Sequence, residues 1–302
     1  MFNILMTTNE SYAQHCGVCI TSLVENNPDS QFNIVIAGLG LSNLTKNKII
    51  ECGSLNDNVK INVIDFNHDK IKSLPETSMY TKDIYLRLWV DDFFDLEVET
   101  VLYIDVDAIV VDSISDLFNQ ELEEYVIAAV DIPFAECEEH CPLPPEFNYF
   151  NSGVLLFNLK RWRDEKYRSQ IVNYILDNSK SIEYPDQDAL NGVLFNKRLK
   201  LDYTYNVIGP FFRKNTYEKL GKNEIKRIRE QAKIVHFNGV GAKPWFYTSN
   251  HPYQKKYFSY LSRTPWQDYR PVDKTFLNFV KKYLRIILNV ESFVRVSFVK
   301  GS

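Results

Sequence analysis

The stretch Val101-Leu-Tyr-Ile-Asp-Val-Asp107, followed by Ala108-Ile-Val-Val111, decides how the rest of the chain is read. Apolar residues run into two acids two positions apart, and four more apolar residues follow. Such a run, rich in branched side chains, predicts a buried strand. Alternate residues of an extended chain point to one side, so Asp105 and Asp107 present their carboxylates together. Paired hard oxygens suit Mg²⁺ or Mn²⁺. A lone Asp-x-Asp also describes two solvated turn aspartates. The apolar flanks weigh against that, because carboxylates in an apolar setting are costly without a cation.

Outward from this stretch, residues 3–7, 32–37, 59–66, 125–130, 153–157 and 233–237 read as strands. Helical patterns cover residues 13–26, 44–52, 166–177 and 187–195, with a further helix around 85–89. The alternation predicts an α/β fold with a mostly parallel sheet between helices. Ligands of such sheets sit beyond the carboxyl ends of the strands. Thr8, Asn9, Asp105, Asp107, Asp131 and His236 all fall just after strand-like runs.

Composition sets outer bounds. The 302 residues are 45% hydrophobic and 25% charged, enough for one large α/β domain or two smaller ones. A net charge of -4 argues against a polyanion binder, and no nucleic-acid partner is expected. The 18 Tyr and 20 Phe suit core packing first and sugar faces second. The apolar run at residues 2–7 has no basic leader and is too short to span a bilayer, so the chain reads as cytoplasmic. Five cysteines, an odd number, fit free thiols. Cys16 and Cys19 have metal-like spacing, and Cys137 and Cys141 would complete a zinc set. Against zinc, Cys16 and Cys19 lie in an apolar helical stretch, where cysteine packs as a small hydrophobe.

Other segments add chemistry. His236 closes a strand and precedes Asn238-Gly239, Gly241 and Lys243; taken singly it reads as a structural imidazole. Glycines let backbone approach a ligand, and Lys243 supplies a point charge for phosphate. Asp186-Gln187-Asp188 follows Pro185 and opens a helix; Asp186 reads as its cap and Asp188 as a dipole partner. Asn151-Ser152-Gly153 reads as a turn before a strand. Arg87 is either a surface arginine or a charge aimed at phosphates.

Together the segments resemble glycosyltransferase family 8, the retaining α-glycosyltransferases. The matching pieces, in the family's order, are Tyr85-Leu-Arg-Leu88, Val101 to Asp107, Ala129-Val-Asp131, Phe150-Asn-Ser-Gly-Val154, Asn158-Leu-Lys-Arg-Trp162, Asp186-Gln-Asp188 with Leu190-Asn191, and His236 to Trp245. The resemblance implies a GT-A type fold, a single Rossmann-like mixed sheet flanked by helices, in a catalytic domain over residues 1–250. Residues 251–302 would form a helical C-terminal extension. Asp105, Asp107 and His236 would hold Mn²⁺ (or Mg²⁺) on a UDP diphosphate. Gly239 and Lys243 would contact the phosphates, and Val106 would also line the donor site. Arg87, Asp131, Asn151, Asp186 and Gln187 would surround the donor sugar, and Thr7, Thr8, Asn9 and Tyr12 would face the uridine. Gln187, Asp188 and Asp131 are the implied candidates for catalysis. Two departures stand out: Asn9-Glu10 replaces an acidic pair common in the family, and the His236–Lys243 interval is one residue longer.

The segment Gly17-Val-Cys-Ile-Thr-Ser-Leu23 and the tail resemble the lipopolysaccharide branch. That implies a glucose or galactose donor and a saccharide or lipid-linked glycan acceptor. UDP leaves poorly until a cation neutralises it. A double displacement needs a carboxylate beneath the anomeric carbon; front-face attack, with a departing diphosphate oxygen as base, is preferred. A glycogenin-like self-glucosylating protein, a sugar nucleotidyltransferase and a non-catalytic sugar-nucleotide module remain as alternatives. The region after Thr7 lacks the Gly-rich basic loop of the second, and intact Asp105, Asp107 and His236 weigh against the third.

The tail has its own pattern. Lys274, Lys281, Lys282, Arg285, Arg295 and Lys300 face a single acid, Glu291. Phe276, Phe279, Val280, Tyr283, Ile287 and Val294 fall largely opposite the basic positions at helical spacing. This predicts a helix peripheral to the cytoplasmic face of the inner membrane. The competing reading is a terminal helix packed on the catalytic domain.

Overall fold

The computed structural model describes residues 1–302 except 55, 77–80, 214–215, 240–242 and 288–302. β1 (Phe2–Asn9), α1 (Ala13–Glu25), β2 (Phe32–Leu39), α2 (Asn43–Glu51) and β3 (Val59–Asp65) alternate, and β1, β2 and β3 pair in parallel. Ile4, Leu5 and Met6 have no exposed area. That is why these strands are continuous apolar runs: helices and loops cover both faces. α1 is buried on most of its circumference. Its Gly17 admits Trp266, since a Cβ there would lie 2.8 Å from Trp266 Cζ3.

β4 (Thr100–Ile104) joins β1 in parallel and gives way to the short β5 (Ala108–Val110). Then come β6 (Ile127–Asp131), β7 (Phe150–Asn158), α3 (Leu159–Asp164), α4 (Tyr167–Asp177), α5 (Pro185–Leu194) and β8 (Arg198–Lys200). Among the described residues the main sheet runs β3-β2-β1-β4-β7-β6-β8. It is mixed because β7 runs antiparallel to both neighbours. β9 (Val207–Ile208), α6 (Tyr217–Leu220), α7 (Lys222–Glu230) and β10 (Ile234–His236) follow. A second sheet, β5-β10-β9, sets His236 opposite Ala108. This register carries the imidazole to the two aspartates.

Two local readings differ from expectation. Asn151-Ser152-Gly153 is not a turn but part of β7, held there by pairing with β6. The helix around Tyr85 is a kinked 3₁₀ segment, Lys82–Asp92. Beyond residue 250, α8 (Gln254–Leu261) packs on α1 and buries Tyr257, Tyr260 and Leu261 in the main body. α9 (Phe276–Ile287) lies at the surface. The tail positions Glu291, Val294, Arg295 and Lys300 lie outside the described residues.

Candidate active site

β4 ends one residue before Asp105, whose N–H donates to Gly153 O at 2.8 Å. The chain then turns through Asp107 into β5, and Phe237 N–H donates to Asp107 O at 2.9 Å. Two strand ends and β10 thereby meet at one point. His236 Nε2 lies 3.1 Å from Asp107 Oδ1 and 3.7 Å from Asp105 Oδ2. One ligand atom from each of the three lies within 4.8 Å of the others, and they form a metal-competent group among the described residues. Glycine is required beside them: a Cβ at Gly153 would sit 2.3 Å from His236 Cε1 and 2.8 Å from Asp105 Oδ2.

Two cations flank the cluster. Lys243 Nζ donates to Asp107 Oδ2. Burial favours a protonated Asp107, but Lys243 and His236 outweigh it and hold the carboxyl well below its ordinary range. Arg87 is buried and joins several groups. It donates from Nη2 to Asp105 Oδ1 at 2.9 Å and from Nη1 to Ser152 O at 2.8 Å, and its Nε lies 3.2 Å from Asp186 Oδ2. Burial raises the Asp186 carboxyl to about 6, with Arg87 opposing. The surface reading of Arg87 is thereby replaced: its charge lies inside, between two carboxylates.

α5 delivers Gln187 to the same place. Asn191, one turn later, accepts from Phe150 N–H at 2.8 Å and donates to Phe150 O at 2.9 Å. Its amide acts as a one-residue strand partner and locks α5 to β7. Gln187 Oε1 accepts from Ser152 N–H at 3.0 Å and from Asn151 Nδ2 at 2.9 Å, while its Nε2 donates to Tyr149 OH at 3.1 Å. Asp186 is not the cap of α5; Asp188 serves that end instead. Asp188 Oδ2 accepts from the N–H groups of Glu183 and Tyr184 at 2.8 and 2.9 Å, and Oδ1 meets His140 Nδ1 at 2.9 Å and the Tyr149 hydroxyl. Asp188 is fully buried with both oxygens engaged. Asp131 stands apart from the aspartate cluster, nearly inaccessible, paired with Arg198 at 2.7 Å and Lys200 at 2.9 Å.

On the β1 side, Thr7 Oγ1 is 3.0 Å from Tyr103 OH. Thr8 is buried. Asn9 donates to Asp83 Oδ2 at 2.6 Å and accepts from Tyr12 N–H at 3.1 Å, shaping the turn. Glu10 turns away to accept from Ser42 and Thr45 at the start of α2. Tyr12 is 36% exposed, which leaves a ring free at the rim, edge-on to Trp245. Val106 sends its side chain into the core, so its backbone alone faces outward chemistry. Gly239 adopts φ +80°, a left-handed conformation suited to glycine; Gly241 lies outside the described residues.

Three participants were not singled out from sequence. Tyr103 donates to Asp105 Oδ1 at 2.6 Å, with the Arg87 guanidinium 4.6 Å from its ring centroid. Alternation marks it, since it lies two residues before Asp105. Tyr149 bridges Gln187 and Asp188. Asn206 contacts His236 and Asn151, and nothing local signals it. The cysteines join no potential metal-ligand group among the described residues; Cys16, Cys19, Cys52 and Cys141 are buried and Cys137 is half-buried.

The mixed sheet thus carries its Asp-x-Asp and histidine at the carboxyl ends of its strands, where sheets of this kind bind ligands. The family model for glycosyl transferase family 8 matches residues 3–249, and the chain belongs to that family of sugar-transferring enzymes. The chain is 30% identical to a lipopolysaccharide 1,2-glucosyltransferase of Escherichia coli K12, over 95% of this chain and 85% of that protein. It is 29% identical to general stress protein A of Bacillus subtilis 168, over 88% and 95%. Among solved structures, the galactosyltransferase LgtC, determined with donor and acceptor sugar analogues, superposes with a TM-score of 0.76 at 20% identity, over 87% of this chain and 96% of that one. This last likeness bears on the GT-A fold.

Proposed function

We propose that the chain is a retaining hexosyltransferase that moves glucose or galactose from a UDP-sugar to a saccharide of the lipopolysaccharide-core type, using Mn²⁺ or Mg²⁺ held by Asp105, Asp107 and His236. The observation that carries this reading is the convergence of two carboxylates and an imidazole nitrogen beside Gly153, where any side chain would fill the space. The acceptor class rests on likeness to the lipopolysaccharide glucosyltransferase.

A cation bound there would neutralise the charge developing on the departing diphosphate. The chain's own residues do the rest. Lys243 brings a second positive charge to the same edge. Arg87 ties Asp105 to Asp186, so the diphosphate end and the sugar end share one rigid frame. Asp188 has both oxygens hydrogen-bonded and Asp131 is ion-paired with Arg198 and Lys200, and we assign them to building the pocket wall. Gln187, with its oxygen turned to Ser152 and Asn151, is assigned to orienting the donor sugar. With Asp188 and Asp131 paired and Gln187 an amide, front-face attack is the reading we adopt. We assign residues 1–250 to donor binding and catalysis.

We further place the enzyme on an anionic membrane through α9. Phe276, Leu277, Phe279, Tyr283 and Leu284 are exposed, alongside the exposed Lys274, Lys281 and Arg285. No helix among the described residues is long and apolar enough to cross a membrane. An apolar face bordered by cations suits a helix lying in the lipid interface.

A panel of UDP-sugars, assayed for UDP release with a lipopolysaccharide-core acceptor, tests the reaction. Release from UDP-glucose or UDP-galactose, abolished by EDTA and restored by Mn²⁺, is expected. Full activity in EDTA overturns the metal assignment. Labelled sugar appearing on the protein itself would turn the reading to self-glucosylation.

A further inference from the structure

We propose that Asn206, together with Asn151, clamps the Nδ1 side of His236 and so dictates that a cation is taken by Nε2; Asn206 is a positioning residue of the metal site. The inference rests on the metal reading above.

The orientation of each amide is dictated by its neighbours. A backbone N–H only donates, so Gly153 N–H, 3.0 Å from Asn151 Oδ1, fixes which end of Asn151 faces it. The other end agrees, because Asn151 Nδ2 donates to Gln187 Oε1, an oxygen itself held by Ser152 N–H. Asn206 Nδ2 donates to Asn151 Oδ1 at 2.8 Å. The oxygen of Asn206 is therefore the atom turned to the ring. His236 Nδ1 faces Asn151 Oδ1 at 3.1 Å and Asn206 Oδ1 at 3.2 Å. Two acceptors at one ring nitrogen require a hydrogen on it; a bare Nδ1 would gather three lone pairs in a dry pocket.

Nε2 is thereby the atom presented to Asp107 and Asp105. The clamp is anchored by its neighbours. Asn206 is 1% exposed, its N–H donates to Tyr203 O at 3.2 Å, and the adjoining β9 pairs Ile208 with His236. Outer partners of metal-bound histidines work this way, holding tautomer and ring orientation.

The test is Mn²⁺ binding by the full chain, read from loss of the free-ion electron paramagnetic resonance signal. Asn206→Leu removes the acceptor and should weaken binding about 10- to 100-fold. Asn206→Asp keeps an acceptor for Nδ1–H but cannot donate to Asn151; it should hold binding within about threefold of wild type, or tighter. Wild-type affinity in a folded Asn206→Leu protein overturns the proposal. Equal weakness in the two variants also overturns it, because the bond to Asn151 alone would then matter. If Asn206→Leu fails to fold, ¹⁵N spectra of the wild-type His236 ring with Mg²⁺ decide. Hydrogen on Nδ1 is expected, and a neutral ring with hydrogen on Nε2 overturns the clamp. Should wild-type protein bind no Mn²⁺, the metal reading fails, while the ring spectra still report on the clamp.

Discussion

The cleft floor and the C-terminal helix are built inside out relative to one another. At the floor, Asp105, Asp107 and Asp186 lie in a shell of core residues, and Arg87 and Lys243 are drawn in after them. On α9, Lys282 turns inward to donate to Tyr247 O and Ser249 O at 2.7 and 3.1 Å, while Phe276 is 83% exposed. Helices on globular domains ordinarily turn the apolar side in. Charge held inside asks for a counter-charge, and an apolar face held outside asks for a cover. The two regions therefore carry the two halves of the proposal: a cation and diphosphate at the floor, and a lipid interface at α9.

The sharpest way to break this contrast is at the floor. Asp107→Ala should lower transfer by about 10³-fold, equivalent to roughly 4 kcal/mol, with the fold retained; UDP release in saturating Mn²⁺ measures it. Wild-type turnover would mean that the buried acids are only structural.

Asp188→Ala should act on stability instead. It strips the acceptor from two backbone N–H groups, His140 and Tyr149, at a cost of about 3 kcal/mol. Urea denaturation at neutral pH reads this. A protein of unchanged stability but no activity would return Asp188 to the chemistry.

Asp186 offers a pH signature. Its carboxyl is raised from 3.8 to about 6 by burial, so the native state keeps the proton where the unfolded chain has lost it. The native state binds more protons across that window, and stability should fall as pH rises from about 4 to about 6, by on the order of 2 kcal/mol. Asp186→Asn should flatten the slope, measured by thermal melts in EDTA.

The smallest effects belong to α9. Lys281→Glu or Arg285→Glu should each weaken binding to anionic vesicles by more than about 1 kcal/mol, and added salt should mask the change. Co-sedimentation checks this, with UDP release in solution unaltered. Equal binding to neutral and anionic vesicles would remove the charge component.

How much of this was legible follows from the range of each signal. Asp105 and Asp107 were readable because two-residue alternation and apolar flanks are local. His236 was readable as a strand end with a glycine turn after it. Asn206 was not, since its contact with the imidazole arises from β9 pairing with β10, and two-residue strands leave no periodic trace. That Asp188 rather than Asp186 serves the start of α5 was not legible, because a cap depends on backbone geometry that spacing alone does not contain. For α9, helical spacing marked two faces without saying which would turn outward. That was decided by Lys282 finding the carbonyls of Tyr247 and Ser249 on the body.

The seam beneath α9 sets where the enzyme can be shortened. Asp273, ahead of the helix, accepts from Tyr247 N–H at 2.6 Å and from Thr248 N–H at 3.0 Å, a few residues past Lys243. A truncation that removes Asp273 would unfasten the segment carrying Lys243, and lost turnover would then say nothing about the outer face of α9. Exchanging the outward side chains Phe276, Phe279 and Tyr283 for polar ones changes the outer face of α9 and leaves the stitching intact.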